Sequence, residues 1–138
     1  MNKFLIIGAV GLVLIVGGSM WSKSVKESDP NVISTKGIHW HPEIEIYVKG
    51  EQIEIPNNTG LMGGHNPIHT HEDLPTIHLE FDRSVTYDET TLNMFFNAWG
   101  KDINEFGDNL VMTVNGEENT ELGEYLMKDK DEIVLRYE

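Results

Sequence analysis

The chain has 138 residues, enough for one domain that buries a core without disulfide bonds. It contains no cysteine, which excludes a disulfide framework, a lipoprotein anchor and a thiolate metal site. Its formal charge of −13 predicts repulsion from nucleic acid and from anionic lipid, so we expect no nucleic-acid partner.

The first 21 residues differ from the rest of the chain. Residues 4–20 form an apolar run interrupted only by glycines and Ser19, near the short end of what spans a bilayer, and Trp21 follows at an interfacial position. Two interpretations of residues 1–21 compete, a cleaved signal peptide and an uncleaved N-terminal membrane anchor. The length of the run favours the anchor, a transmembrane helix that would be the contact with the membrane.

Both interpretations predict that the rest of the chain is exported. We therefore expect an extracytoplasmic domain, at the cell surface, in a pseudo-periplasm or in a periplasm. Polar residues 22–36 are interpreted as a tether, and residues 37–138 as the exported His-rich domain. The part after the anchor carries nine basic and 23 acidic residues, an acidity typical of a soluble exported domain.

The start of the domain alternates apolar and polar side chains. Residues 38–49 predict a strand, 49–51 a turn and 52–55 a returning strand, which together make a β-hairpin. Residues 67–71 and 76–81 predict two more short strands joined by a tight turn. This half of the domain is therefore predicted to be β-structure.

Residues 88–100 predict a helix, with Asp88 or Thr90 as its N-cap and Gly100 just after its end. An apolar stripe at helical spacing is interpreted as its core-facing side: Leu92, Phe95, Phe96 and Trp99. Strands are predicted at 110–114 and 132–137. Strands around a single helix indicate an α+β fold, a small mixed or antiparallel β-sheet domain.

The C-terminal half resembles a β-grasp domain of the ubiquitin-like kind. The resemblance is carried by the helix segment 91–96, the turn 114–116 and the segment 126–133. Ubiquitin-like domains commonly have glycine in the turn before their last strand, where this chain has Lys130. The resemblance implies a β-grasp-like sheet behind the predicted transmembrane helix.

All six histidines lie between positions 39 and 78. Two pairs have the form His-x-His, His39-Trp40-His41 and His69-Thr70-His71, and residues two apart on a strand point to the same face. Neutral imidazole is the commonest protein metal ligand, so the cluster predicts a metal site. Imidazole donors in an exported domain suit a copper or zinc ion.

A hairpin with its turn at residues 72–75 has a definite register. His69 then lies opposite His78, and the intervening apolar residues face the core, which supports this register. Glu80 falls on the histidine face and is a candidate fourth ligand. The predicted ligands, in order of preference, are His69, His71 and His78, then His39 and His41, then His65.

Other interpretations of the histidines are a pH switch and a polar hydrogen-bonded network. The leading function is metal acquisition, delivery or sensing by an exported, membrane-anchored protein. A second is a non-catalytic accessory subunit whose histidines contact a membrane-protein partner. A third is a small metal-dependent hydrolase or lyase. The sequence contains no nucleophile elbow, phosphate loop or dinucleotide fingerprint, and no catalytic residue is assigned.

Residues 39–138 resemble a family of small, membrane-anchored, histidine-rich exported proteins of archaea and some bacteria. The resemblance is carried by the "histidine, tryptophan, histidine" start, by the hairpin that follows, by the two histidine segments and by the aromatic helix. These are residues 39–41, 43–50, 67–71, 77–80 and 91–100. The resemblance implies this architecture and a metal site, and implies no activity.

Overall fold

The computed structural model of the chain describes residues 29–138, and residues 31–138 form a compact unit. The predicted anchor or signal peptide, and residues 22–28 of the predicted tether, lie outside the described residues. Within residues 29–138, no helix has both the length and the apolar character needed to cross a membrane.

The described residues form an α+β domain, as predicted. Its strands are β1 (Val32–Ser34), β2 (Ile38–Trp40), β3 (Glu43–Val48), β4 (Glu51–Ile53), β5 (Ile68–Thr70), β6 (Ile77–Phe81), β7 (Val85–Thr86), β8 (Val111–Val114), β9 (Glu117–Asn119) and β10 (Glu132–Tyr137). The α-helix is α1 (Leu92–Trp99), and short 3₁₀ helices span Tyr87–Thr90 and Leu122–Glu124.

A five-stranded sheet has the order β4-β3-β10-β8-β9. Strands β3 and β10 run parallel at its centre, and the other neighbours are antiparallel. If the five strands of this sheet are numbered along the chain, their order across the sheet is second, first, fifth, third, fourth. In the chain, α1 lies between the second and the third of them. Ile133 and Leu135 of β10 are buried on one face of this sheet, as their alternation predicts.

The predicted continuous strand over residues 38–49 is wrong. It is split at His41-Pro42 into β2 and β3, which belong to different sheets. Pro42 has no N–H to donate to a sheet, so strand pairing cannot continue unbroken through it. The Pro42 carbonyl instead accepts a 2.8 Å hydrogen bond from the Ile77 N–H, and the chain passes from one sheet to the other at this point.

The second sheet has three strands in the antiparallel order β2-β6-β5. Ile68, Ile77 and Leu79 on one of its faces are no more than 2% exposed and join the hydrophobic core. The opposite face carries the histidines. The apolar side chains therefore fix which way the histidine-bearing face points.

The helix is shorter than the predicted 88–100. Residues Tyr87–Thr90 form a separate 3₁₀ turn and Thr91 is extended, so neither Asp88 nor Thr90 is the N-cap of α1. The reason is tertiary: the Leu92 N–H donates to the Tyr125 carbonyl at 2.9 Å, and the Met127 N–H donates to Thr90 at 2.9 Å. This extended pairing holds the backbone out of the helix.

The end of α1 and its buried stripe agree with prediction. Gly100 follows the helix in the left-handed region with φ 74°, and its N–H bonds to Asn97. Leu92, Phe95 and Phe96 are buried, and Trp99 packs against the core.

Strand β1 lies within residues 22–36, the segment interpreted as a tether. It pairs antiparallel with β7, with Val32 opposite Thr86. The sequence pattern predicts neither strand, because both are very short. Ordered structure therefore begins before residue 37.

Candidate metal centre

The histidines are placed by the three-stranded sheet. His69 of β5 lies directly opposite His78 of β6, as the hairpin register predicts, with Thr70 opposite Ile77. On the other side of β6, His39 of β2 lies opposite Glu80. One face of the sheet therefore carries ligand-type side chains from all three of its strands.

His69 is the most deeply buried of the histidines, with 0% of its surface exposed. Its Nδ1 lies 2.9 Å from the Asn66 carbonyl, which fixes the ring and leaves Nε2 as the free lone pair. Among residues 29–138, Nε2 has no hydrogen-bond partner, since Glu80 Oε2 is 3.8 Å away. Burial lowers the pKa of His69 below its ordinary value, which keeps the imidazole neutral and able to bind a metal.

The loop between β4 and β5 brings His65 against His69, with ring centroids 4.9 Å apart. Gly60 allows this close approach, because its φ is 80° and a Cβ atom there would lie 2.4 Å from the Ile68 carbonyl oxygen. The Asn66 N–H donates to the Gly60 carbonyl at 3.0 Å and closes the loop. The sequence ranks His65 last, yet the structure places it beside the buried ligand.

The six imidazoles form one continuous layer. His78 contacts three of the other rings, since its ring centroid lies 4.9 Å from that of His41, 4.8 Å from that of His71 and 5.5 Å from that of His69. His39 contacts His41 at 4.8 Å and completes the layer. Rings that are this close bring ring nitrogens of different histidines near one another.

Glu80 supplies the carboxylate of the centre. Its Oε1 lies 3.1 Å from His39 Nε2 and 3.2 Å from His78 Nδ1. Partial burial acts to raise the pKa of Glu80, but hydrogen bonding with His78 and the coulombic effect of His39 outweigh it. The pKa of Glu80 therefore lies below its ordinary value, and the carboxylate stays anionic.

Three groups of these side chains, one of which shares a residue with each of the other two, could each hold a metal ion. In each group the ligand atoms lie within 4.8 Å of one another. The groups are His69, His71 and His78; His39, His41 and Glu80; and His65, His69 and Glu80. All seven predicted ligands are therefore brought together, and every one belongs to at least one group.

Two aspartates flank the layer. His78 Nε2 lies 3.1 Å from Asp73 Oδ2, and the backbone N–H of His41 donates to Asp129 Oδ1 at 2.9 Å. A carboxylate on a ring nitrogen, as Asp73 is on His78, orients the imidazole, whereas Asp129 holds the backbone of His41. Asp129 comes from the turn before β10, 88 residues further along the chain, and no local pattern in the sequence could have identified it.

One side of the layer opens to solvent. A cavity of about 690 Å³ lies between β2 and the loop before β5, and His39, His65 and Glu80 line it. The side chain of His39 is 67% exposed there. Ions and small molecules can therefore reach the centre from this side, while the apolar core closes the opposite side.

The donor set is six imidazoles and one carboxylate. Nitrogen and carboxylate ligands suit borderline divalent ions, whereas calcium and magnesium prefer oxygen alone. Comparison of the chain with family models, with curated proteins and with solved structures finds no match. The case for a function therefore rests on the geometry of the centre.

Proposed function

We propose that this protein is an exported, membrane-anchored metal-binding protein that takes up copper or zinc through its histidine layer. The observation that carries the proposal is the buried Nε2 of His69, which has no hydrogen-bond partner among the described residues. An unsatisfied buried polar atom costs about 1–3 kcal/mol, and a bound metal ion would remove that cost.

The convergence of the ligands favours metal binding over an accessory-subunit role. Histidines that served only as a contact surface would not need to bring three ligand atoms within 4.8 Å of one another in three groups. Copper and zinc are both supported by imidazole donors, and copper has the greater intrinsic affinity for such sites. Acquisition, delivery and sensing are all roles that an exported, partly open centre suits.

The export and anchoring part of the proposal rests on the apolar run at residues 4–20. The location we propose is extracytoplasmic. The sheet order with a central parallel pair and one intervening helix also supports the proposal that residues 43–137 adopt a β-grasp fold. Lys130 supports it further, because its φ of 63° is a conformation that favours glycine, the residue common at that turn in ubiquitin-like domains.

A metal titration tests the proposal. The full chain, purified in a mild non-ionic detergent and stripped with chelator, is titrated with Zn²⁺ and with Cu²⁺ by calorimetry, and Mg²⁺ serves as the oxygen-preferring control. We expect stoichiometric binding of Zn²⁺ and Cu²⁺, and no heat from Mg²⁺ at the same concentration. Absence of uptake, or uptake unaffected by His69→Ala combined with His71→Ala, would contradict the proposal.

A further inference from the structure

Seven side chains converge in this centre, and this number exceeds the number of ligands that a single ion binds. A zinc or copper ion in a protein commonly takes four ligands, of which one can be water. Two of the candidate groups share no residue: His69, His71 and His78 form one, which we name the inner triad, and His39, His41 and Glu80 form the other, the outer triad. Each triad could hold its own ion, with water completing the coordination.

The two triads are direct neighbours. The ring centroids of His41 and His78, one from each triad, lie 4.9 Å apart. Glu80 Oε1 lies 3.1 Å from His39 of the outer triad and 3.2 Å from His78 of the inner triad. Two-metal sites in proteins hold their ions about 3.5–4 Å apart, and a carboxylate has two oxygens, one for each ion.

The triads differ in solvent exposure. In the inner triad His69 is 0% exposed and the side chain of His78 is 12% exposed, while His71 is exposed. In the outer triad the side chains of His39 and His41 are 67% and 39% exposed. An ion in the outer triad would therefore exchange ligands with solvent more readily than one that binds His69.

We propose that each chain binds two metal ions, one retained by the inner triad and one exchangeable at the outer triad, with Glu80 between them. The inner ion satisfies the buried Nε2 of His69 and is bound more tightly. The outer ion is the one that the protein takes up and releases. This inference rests on the proposed metal-binding function, and it specifies how many ions bind and which of them is exchanged.

The test counts Zn²⁺ ions bound to the full chain in detergent by native mass spectrometry, with calorimetry for the affinities. We expect two ions per wild-type chain in two resolved binding events. His39→Ala combined with His41→Ala should bind one ion with the tighter affinity, changed by less than about threefold. His71→Ala combined with His78→Ala should lose the tighter event and retain one weaker ion.

A matched control removes acidic side chains elsewhere. Glu117→Ala combined with Glu118→Ala changes two exposed residues of the edge strand β9 in the other sheet, and two ions should still bind. Near-ultraviolet circular dichroism without metal checks the fold of each variant. The number of ions bound by the wild-type chain does not depend on whether the variants fold.

One ion per wild-type chain, abolished by either double substitution, would show a single composite site. That result overturns the two-ion inference and leaves the proposed function intact. Two ions in the His39→Ala, His41→Ala variant would also overturn the inference, because the second ion would then lie elsewhere. No bound ion in the wild type would overturn both proposals.

Discussion

His69 and His78 lie directly opposite each other on β5 and β6, with ring centroids 5.5 Å apart and ring planes within 11° of parallel. Side chains alternate between the two faces of a sheet, so a one-residue slip of this hairpin would turn both imidazoles into the core. Ile77 and Leu79, each 0% exposed, prevent that slip by filling the core face. Core packing on one side of the sheet therefore fixes ligand geometry on the other.

Replacing His69 with asparagine should separate stability from metal binding. The asparagine amide can still donate to the Asn66 carbonyl in place of Nδ1, while the unpartnered Nε2 is removed. We expect the metal-free variant to keep its free energy of unfolding within about 1 kcal/mol of the wild type. The stabilisation by the Zn²⁺ ion of the inner triad, about 2.7 kcal/mol at 100 times its dissociation constant, should be lost. Thermal unfolding with and without Zn²⁺ measures both.

Thr70→Val is the matched control on the neighbouring residue. The Thr70 hydroxyl accepts from the Thr59 N–H at 3.0 Å and donates to the Pro56 carbonyl at 2.8 Å, on the core side of the sheet. This variant should lose about 1–2 kcal/mol without metal and retain the Zn²⁺-dependent rise. If His69→Asn instead lost stability without metal and kept the Zn²⁺-dependent rise, while Thr70→Val lost that rise, His69 would be a structural residue only.

Two glycines of the loop before β5 provide a second comparison. Gly60 and Gly63 have similar φ angles of 80° and 91°, but only a Cβ at Gly60 would meet backbone, 2.4 Å from the Ile68 carbonyl oxygen. Gly63→Ala should cost about 1 kcal/mol through its φ angle alone. Gly60→Ala should cost more and should weaken Zn²⁺ binding, because the loop that carries His65 and Asn66 must shift. Urea unfolding and calorimetry test this, and equal effects of the two substitutions would contradict it.

Asp131 connects the core to the turn that holds Asp129. It is 5% exposed and accepts hydrogen bonds from the Tyr125 hydroxyl at 2.7 Å, Asn115 Nδ2 at 3.0 Å and the Lys128 N–H at 2.9 Å. Tyr125→Phe removes one donor from a buried carboxylate and should cost about 1.5–3 kcal/mol. Tyr47→Phe, which breaks a 2.7 Å bond to Glu45 near the surface, is the control and should have little effect. Urea unfolding at pH 7 compares them.

The Tyr125 hydroxyl should also make the stability of the protein depend on pH in alkali. Burial, followed by the hydrogen bond to Asp131, raises the pKa of Tyr125 above its ordinary value of 10.0. Stability from this group is present below pH 10 and is lost as the pH rises further, because the unfolded chain releases its proton first. Tyr125→Phe should therefore show a smaller loss of stability above pH 10 than the wild type. An equal loss in both proteins would contradict this assignment.

Glu89 should make stability depend on pH in acid. The Arg83 guanidinium and the Thr86 N–H hold the pKa of Glu89 at about 2, below its ordinary value of 4.5. This stabilisation is present above pH 4.5 and is lost as the pH falls towards 2, because the unfolded chain then binds the proton more readily. Glu89→Gln should cost about 1 kcal/mol at pH 7, since solvent screens the pair.

The difference between Glu89→Gln and the wild type should shrink between pH 4.5 and 2, as measured by urea unfolding across that range. Glu105→Gln is the control, because its pair with Lys101 is exposed and should contribute little to stability. A difference at Glu89 that stayed constant with pH would contradict the role of its charge.

The histidine hairpin could be predicted from the sequence because its signals are local. Alternation over residues 68–70 and 77–81, together with a tight turn, specifies both the register and the face of each imidazole. The buried stripe of α1 and the left-handed residue after it were predictable for the same reason.

Features that depend on distant parts of the chain could not be predicted. The split between β2 and β3 depends on which sheet each half joins, and the extended backbone at Thr91 depends on pairing with Leu126. Asp129 reaches His41 only because β10 lies parallel to β3. The sequence shows which residue types could bind a metal, but only tertiary packing places His65 beside the other histidines.

The two faces of the three-stranded sheet have different roles. Its inward side chains hold the strands in register through apolar contacts, and its outward side chains take no part in the core. Exposed ligands such as His39 and His71 are therefore open to replacement at little cost in folding. Under the proposed function, a change in metal preference would therefore need only single substitutions on this face, without a compensating change in the core beneath it.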